Sequence, residues 1–363
     1  MKISDVESIL IHFPTPRTIA DSHNVFDKIE FVVALVHTDE GITGTGYTVT
    51  VGSGGDIIRE TIDAHLKNAV VGQDPFNVRK IWHDMHWGET HWVGRAGVTT
   101  MAMAAVDIAV WDTMAKACDK PLWKLLGGFE REVPAYNTDG GWLSWSIEEL
   151  VMDMTRMIDE GFKGVKMKIG QKDPWADIGR VEAVRKALGD KVRLMVDVNQ
   201  RWDLHTAMQF GKKLEDYDVF WLEEPLHPDD IEGHVKLANT LTTPIALGEH
   251  VYTKYAFRDY IQKGGVEIVQ VDAARVGGIT EFLAVAAMAE CHNLAVSPHA
   301  GDAMQVHQHL LLSIPNALFL EYIPWALDLF IDPVVVKKGI LQPPPKPGAS
   351  TEMKKEMIMK YRV

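Results

Sequence analysis

Three carboxylates recur at one interval along the chain. Asp197 closes the run Leu194-Met195-Val196-Asp197, Glu223 closes Phe220-Trp221-Leu222-Glu223, and Glu249 closes Ile245-Ala246-Leu247-Gly248-Glu249, at intervals of 26 residues. One such carboxylate alone is an ordinary solvated strand end. Three on neighbouring strands, about 4.8 Å apart, bring anions close enough to need a cation. All-oxygen ligation suits a hard divalent ion such as Mg²⁺. Lys166 and Lys168, within Gly164-Val165-Lys166-Met167-Lys168-Ile169-Gly170, are two apart and share one strand face. If that face is interior, each ammonium depresses the other, and one neutral amine becomes a base near neutral pH. The plainer alternative is two lysines ion-paired with the carboxylates. Asp272 and His299 end two further apolar strands, Val269-Gln270-Val271-Asp272 and Val296-Ser297-Pro298-His299. A carboxylate beside an imidazole sets its tautomer and raises its basicity, giving a second acid/base. Glu321 interrupts Leu318-Phe319-Leu320, where a buried carboxyl needs a partner. Protonated, it would donate a hydrogen bond to an oxyanion; otherwise it is a rim ion pair. A cation between two acid/base groups suits abstraction of a proton next to a carboxylate, because the enediolate left behind must be neutralised.

These residues need a scaffold that collects strand ends. After residue 130 the chain alternates regularly, with strands expected to begin near Glu132, Lys163, Val192, Asp218, Thr243, Val266, Leu294 and Leu318 and helical periods between them, such as 147–160, 177–188 and 279–291. Eight strands at this spacing predict a parallel (β/α)7β barrel of the modified TIM type, whose active sites lie at the strand C-termini. An open doubly wound sheet lacks its Gly-rich turn here. Residues 1–130 read as an α+β capping domain: strands at 6–13, 29–37 and 42–50, then helices at 57–71, 77–85 and 99–117. The barrel is expected over 131–325. Residues 326–363, with Pro343-Pro344-Pro345 and a short polar helix, leave the alternation and are expected to return to the cap.

The 363 residues suit two domains, and the net charge of −13 excludes a polyanion-binding surface, so no nucleic-acid partner is expected. Two cysteines without CxxC spacing fit a reducing compartment. No secretory signal is read at residues 1–5, and residues 318–331, taken as the most apolar stretch, are broken by Glu321 and Asp328. A cytoplasmic protein without a membrane partner is the expectation.

KxK, Asp197-x-Asn199, Glu223-Glu224-Pro225, Gly248-Glu249 and Asp272 with His299 together resemble the enolase superfamily, specifically its mandelate racemase subgroup, over essentially the whole chain. The resemblance implies Asp197, Glu223 and Glu249 as Mg²⁺ ligands and Lys168 as the base on one substrate face. Lys166 would be the neighbour that lowers the pKa of Lys168 and meets the substrate carboxylate. It further implies His299 with Asp272 as the acid/base on the other face, Glu321 as the donor to the enediolate, and Asn199 near the metal and a substrate hydroxyl. Members of the family are usually homo-oligomers. Gly348-Ala349-Ser350-Thr351 departs from the family's common Gly-Leu-Gly.

Such a site starts several reactions. Reprotonation on the opposite face gives racemisation or epimerisation, and loss of a β-hydroxyl gives a 2-keto-3-deoxy acid. The cap loops 18–24 and 44–55, with His23 and Tyr47 as substrate contacts, are polar and Gly-rich, and suit a polyhydroxylated acid better than an aromatic ring. The segment 46–55 resembles the corresponding loop of L-talarate/galactarate dehydratases, and His250 is similar to a residue of several acid-sugar dehydratases. An Mg²⁺-dependent dehydratase of an aldarate or aldonate is therefore the leading expectation, with a sugar acid as its small-molecule partner. A racemase or epimerase using the same bases is the alternative. A barrel aldolase forming a Schiff base on Lys166 or Lys168 also remains open.

Overall fold

Runs of β-branched residues at the start of the chain pair into an antiparallel sheet, β1 (Ile3–Ala20), β2 (Val25–Thr38) and β3 (Thr43–Val51), in the order β1-β2-β3. The computed structural model describes residues 1–129, 131–301 and 303–363, so the expected boundary at residue 130 lies outside the described residues. β1 runs past 13 because a register shift between Pro14 and Ile19 absorbs the two prolines. The expected loop 18–24 reduces to a turn at 21–24, where the Asp21 carboxylate accepts the backbone N–H of His23 (2.7 Å) and Asn24 (2.6 Å).

One face of this sheet packs on the cap helices and the helix Val98–Ala117, which is buried nearly all round. Among the described residues, that helix rather than 318–331 is long and apolar enough to cross a membrane; 89% of its window is buried inside the protein, as in a core helix. The other sheet face packs on Leu329, Phe330 and Met353 from the returning C-terminal segment. The helix Lys355–Tyr361 lies against this sheet too, and the backbone N–H of Val363 bonds the carbonyl of Leu10 at 3.0 Å.

The eight expected strands form one parallel sheet: β4 (Ala135–Asn137), β5 (Gly164–Lys168), β6 (Arg193–Asp197), β7 (Val219–Glu223), β8 (Ile245–Leu247), β9 (Ile268–Val269), β10 (Ala295–Val296) and β11 (Leu320–Tyr322). β4 pairs with both β5 and β11, and a parallel bridge between Val296 and Ala317 closes the ring. Strand parity sorts the side chains. Val165, Met167, Leu194, Val196 and Leu222 point out to the helices, while Tyr136, Met195, Trp221, Ala246, Ile268 and Phe319 fill the interior as an apolar layer. On three of these strands the next inward position is a carboxylate, Asp197 after Met195, Glu223 after Trp221 and Glu321 after Phe319, which puts the charged groups directly above an apolar floor.

Candidate active site

Lys168, Asp197 and Glu223 stand in register, Lys168 opposite Asp197 and Asp197 opposite Glu223, so adjacent strands carry them side by side. Glu249 follows β8 after Gly248, whose Cα lies so close to the next strand that a Cβ there would meet the carbonyl carbon of Gln270 at 2.4 Å. Ligand atoms of Asp197, Glu223 and Glu249 lie within 4.8 Å of one another, all three buried. The three-carboxylate cluster read from the spacing is thus assembled.

The donor set fits a hard cation. Buried Glu249 Oε2 and Asn199 Oδ1 accept no hydrogen bond, Glu249 Oε2 meeting only the His299 ring as an ion pair, and such oxygens suit a hard cation. Burial first and the charge of Asp197 second push the Glu223 carboxyl up to about 8, although all its partners are donors: Lys166 Nζ at 2.6 Å, Trp221 Nε1 at 2.9 Å and Gln270 Nε2 at 2.8 Å. Crowded acids of this kind are what a divalent ion relieves. Asn199, Gln200 and Glu224 sit at φ of 47°, 66° and 40°, strained for non-glycine residues, at the strand ends where the ligands turn inward. Asn199 is held there by its N–H to Asp197 Oδ1, 2.9 Å.

The lysine pair follows the plainer alternative. Lys168 Nζ bonds Asp197 Oδ2, and Lys166 Nζ bridges Glu223 Oε1 (2.6 Å) and Glu321 Oε1 (2.7 Å). Burial works against both ammoniums, yet in the metal-free site the facing carboxylates, Glu223 then Glu321 for Lys166 and Asp197 for Lys168, raise both pKa values. The mutual repulsion of two cations is outweighed by the acids around them. Lys166 is buried and does not line the cavity; its Nζ meets Glu223 and Glu321 instead. Glu321 follows the ion-pair alternative in the metal-free site. Burial pushes its carboxyl up, but Lys166 and His299 more than offset this and hold it ionised; it accepts the Ala300 N–H at 2.7 Å rather than donating.

His299 and Asp272 pair as expected, His299 Nδ1 lying 2.9 Å from Asp272 Oδ2, with Nε2 3.1 Å from Glu249 Oε2. Burial disfavours the imidazolium, but Glu249 and then Asp272 raise His299 to about 9. Lys168, Asn199, Glu249, His250, His299 and Glu321 share one cavity of about 430 Å³. Its outer wall comes from the cap: Asp21, His23, Asn24 and the β3 residues Val49 to Val51. Ser22 Oγ donates to the Val198 carbonyl (2.8 Å) and Thr48 Oγ1 to the Ala274 carbonyl (2.7 Å), pinning both cap segments to the barrel mouth.

Tyr47 does not belong to the site. Most of the expected loop 44–55 is β3, and Tyr47, two residues short of Val49, packs between Phe31 and Phe330 in the cap core. Strand rise puts it roughly 7 Å behind the cavity. His250 lines the cavity with Nδ1 3.2 Å from Glu224 and 3.3 Å from Glu249. Gly348 to Thr351 form a buried seam: Ala349 N–H bonds Asp112 Oδ1 (2.6 Å), Ser350 Oγ meets His309 Nε2 (3.1 Å) and Thr351 Oγ1 donates to the Thr45 carbonyl. None of these four lines the cavity. Sequence reasoning missed Gln270 and Arg275. Gln270 was legible, being two residues before Asp272 on the inward face; Arg275 reaches the cavity from the short helix Ala273–Val276, where strand parity gives no signal.

Residues 7–127 match the N-terminal domain of mandelate racemase / muconate lactonizing enzyme, and residues 149–357 match the enolase C-terminal domain-like family. The chain belongs to the enolase superfamily. A 3,6-anhydro-alpha-L-galactonate cycloisomerase from Streptomyces coelicolor is 34% identical over 95% of this chain and 95% of its own. An L-talarate/galactarate dehydratase from Salmonella typhimurium is 38% identical over 86% of this chain and 77% of its own. Among solved structures of the superfamily, an L-talarate dehydratase from Polaromonas complexed with Mg and L-glucarate superposes with a TM-score of 0.93 at 34% identity, over 100% of this chain and 97% of that one.

Proposed function

We propose that this protein is an Mg²⁺-dependent acid-sugar dehydratase acting on an aldarate or aldonate. The observation that carries the reading is the convergence on one cavity of Lys168 and His299, each tied to its own carboxylate, around the Asp197, Glu223 and Glu249 cluster. The dehydratase relatives, one of them complexed with Mg and L-glucarate, support it. Mg²⁺ held by the three carboxylates supplies Lewis-acid stabilisation of negative charge growing on the substrate carboxylate. Lys168 Nζ or His299 Nε2, according to substrate configuration, would take the α-proton in its neutral form, which becomes accessible once Asp197 and Glu249, the carboxylates that hold these groups protonated, are engaged by the cation. His299 Nε2 then gives a proton to the departing β-hydroxyl, which leaves as water, while Asp272 holds the ring by Nδ1. Lys166 fixes Glu223 and Glu321, and His23 with Asn24 at the cap wall offers donors to substrate hydroxyls.

The test is a panel of aldonates and aldarates with Mg²⁺, scored for keto-acid formation and for α-proton exchange with solvent deuterium. Lys168→Ala and His299→Asn are expected to lose about 10²–10⁴-fold in proton transfer at their own face. If both variants exchange as fast as the parent, the reading fails. A racemase or epimerase is the second reading, favoured by bases on strands as far apart as β5 and β10; it gives isomers without keto acid. Borohydride trapping with activity surviving EDTA would instead mark Schiff-base chemistry. Self-association belongs to the proposal too: Trp87, Trp92 and Val93 of the cap are 56%, 89% and 78% exposed, an apolar patch suited to a second copy.

A further inference from the structure

Directly behind Asp272 and His299 lies a second histidine that the proposed mechanism does not use. His307 is on the helix Met304–Leu311 and is fully buried, its ring stacked on Phe282 at 6.0 Å between centroids. Its Nε2 accepts the backbone N–H of Ala273 at 3.0 Å. Ala273 opens the short helix Ala273–Val276, which Asp272 caps: Asp272 Oδ1 accepts the Ala274 N–H at 2.7 Å, and the Asp272 carbonyl accepts those of Arg275 (3.1 Å) and Val276 (2.9 Å). Asp272 Oδ2 is left for His299 Nδ1 at 2.9 Å.

This arrangement determines the His307 tautomer. Two N–H groups cannot face each other at 3.0 Å, so Nε2 carries no proton and Nδ1 carries it. Nδ1 is itself buried without a hydrogen-bond partner, a cost that a purely space-filling residue would not incur. Nε2 lies 3.5 Å from Asp272 Oδ1 and, lacking a proton, cannot donate to it. Were Nε2 protonated, it would compete with Ala274 for Oδ1 and draw charge from the carboxylate that orients His299. With Ala273 N–H already satisfied, Oδ1 is also not pulled towards it.

We propose that His307, as an Nδ1–H tautomer, is a positioning residue that holds the Asp272 carboxylate aimed at His299. The inference rests on His299 serving as one of the two acid/base groups. His307→Leu removes the acceptor, and His307→Gln retains one.

Histidine-selective ¹⁵N NMR of the whole protein reads the arrangement without substrate. It is expected to show the Nδ1–H tautomer at His307, and a hydrogen-bonded His299 Nδ1 proton that is lost or shifted upfield in His307→Leu and kept in His307→Gln. In exchange assays, His307→Leu is expected to lose about tenfold or more on the His299 face, with the Lys168 face and KM unchanged and with His307→Gln restoring most of the loss. An Nε2–H tautomer at His307, a His299 signal indifferent to His307→Leu, or equal losses on both faces overturns the proposal. If the parent protein exchanges no α-proton, the functional reading fails, and the NMR outcome still decides the role of His307.

Discussion

The imidazole of His299 links the site to the stability of the fold. Its folded pKa of about 9 lies above the unfolded value of about 6.5, so its contribution is fully present below about pH 6.5 and is lost as pH rises through about 9. Without added metal, thermal unfolding is expected at progressively lower temperature across that window, and His299→Asn is expected to flatten the decline. Identical slopes for parent and variant would refute the assignment. The positions of Asp197, Glu223, Glu249, Asp272 and His299 were legible because each terminates an apolar run. Their protonation was not. Lys166 is kept charged by Glu223 and then by Glu321, the latter from the far end of the barrel sequence, joined to it by the closure that brings β4 beside β11. A lysine pair read alone shows only its own repulsion; the acids that decide the outcome come from other strands.

At the level of elements, the helix Val98–Ala117 meets the barrel through apolar contacts of Ile108 and Ala115 and through a buried acid. Asp107 accepts Thr280 Oγ1 at 2.6 Å and Thr280 N–H at 3.0 Å, and burial above all pushes its carboxyl up to about 7. The folded state therefore binds a proton that the unfolded chain, at about 3.8, releases earlier, and stability falls as pH rises from about 4 through 7. Asp107→Asn is expected to remove that slope and raise the midpoint of urea unfolding at pH 7.5; an unchanged slope counts against it. Strand elements were readable from β-branched runs and spacing, and the barrel from their number. The cap segment reads both as a strand over 42–50 and as a donor-rich loop over 44–55, because Thr, Gly and Tyr suit either; β3, Thr43–Val51, bears out the strand. Only pairing with β2, Ile29 opposite Val51, decides between them. The Gly348 to Thr351 seam depends on Asp112, His309 and Thr45, three elements that no local pattern connects.

Across the whole molecule, the net charge of −13 coexists with a cavity lined by Lys168, Arg275 and His299, so the overall charge says little about the pocket. The exposed cap aromatics form a ladder, Trp87 on His91 at 5.4 Å and His91 on Trp92 at 5.1 Å. Trp92→Asp is expected to lower the assembly state in light scattering while leaving the circular dichroism of the chain native; an unchanged mass would place the contact between copies elsewhere. The segment ending in Val363, which bonds Leu10 and backs the cap sheet, has a further consequence for synthesis. Strands β1 to β3 leave the ribosome first, yet one of their faces stays uncovered until residues 329–363 emerge, on the order of tens of seconds later. The barrel strands can pair in the meantime, so the half of the site that would choose the sugar acid is begun first and finished last. For that interval one face of the nascent cap sheet is bare and hydrophobic.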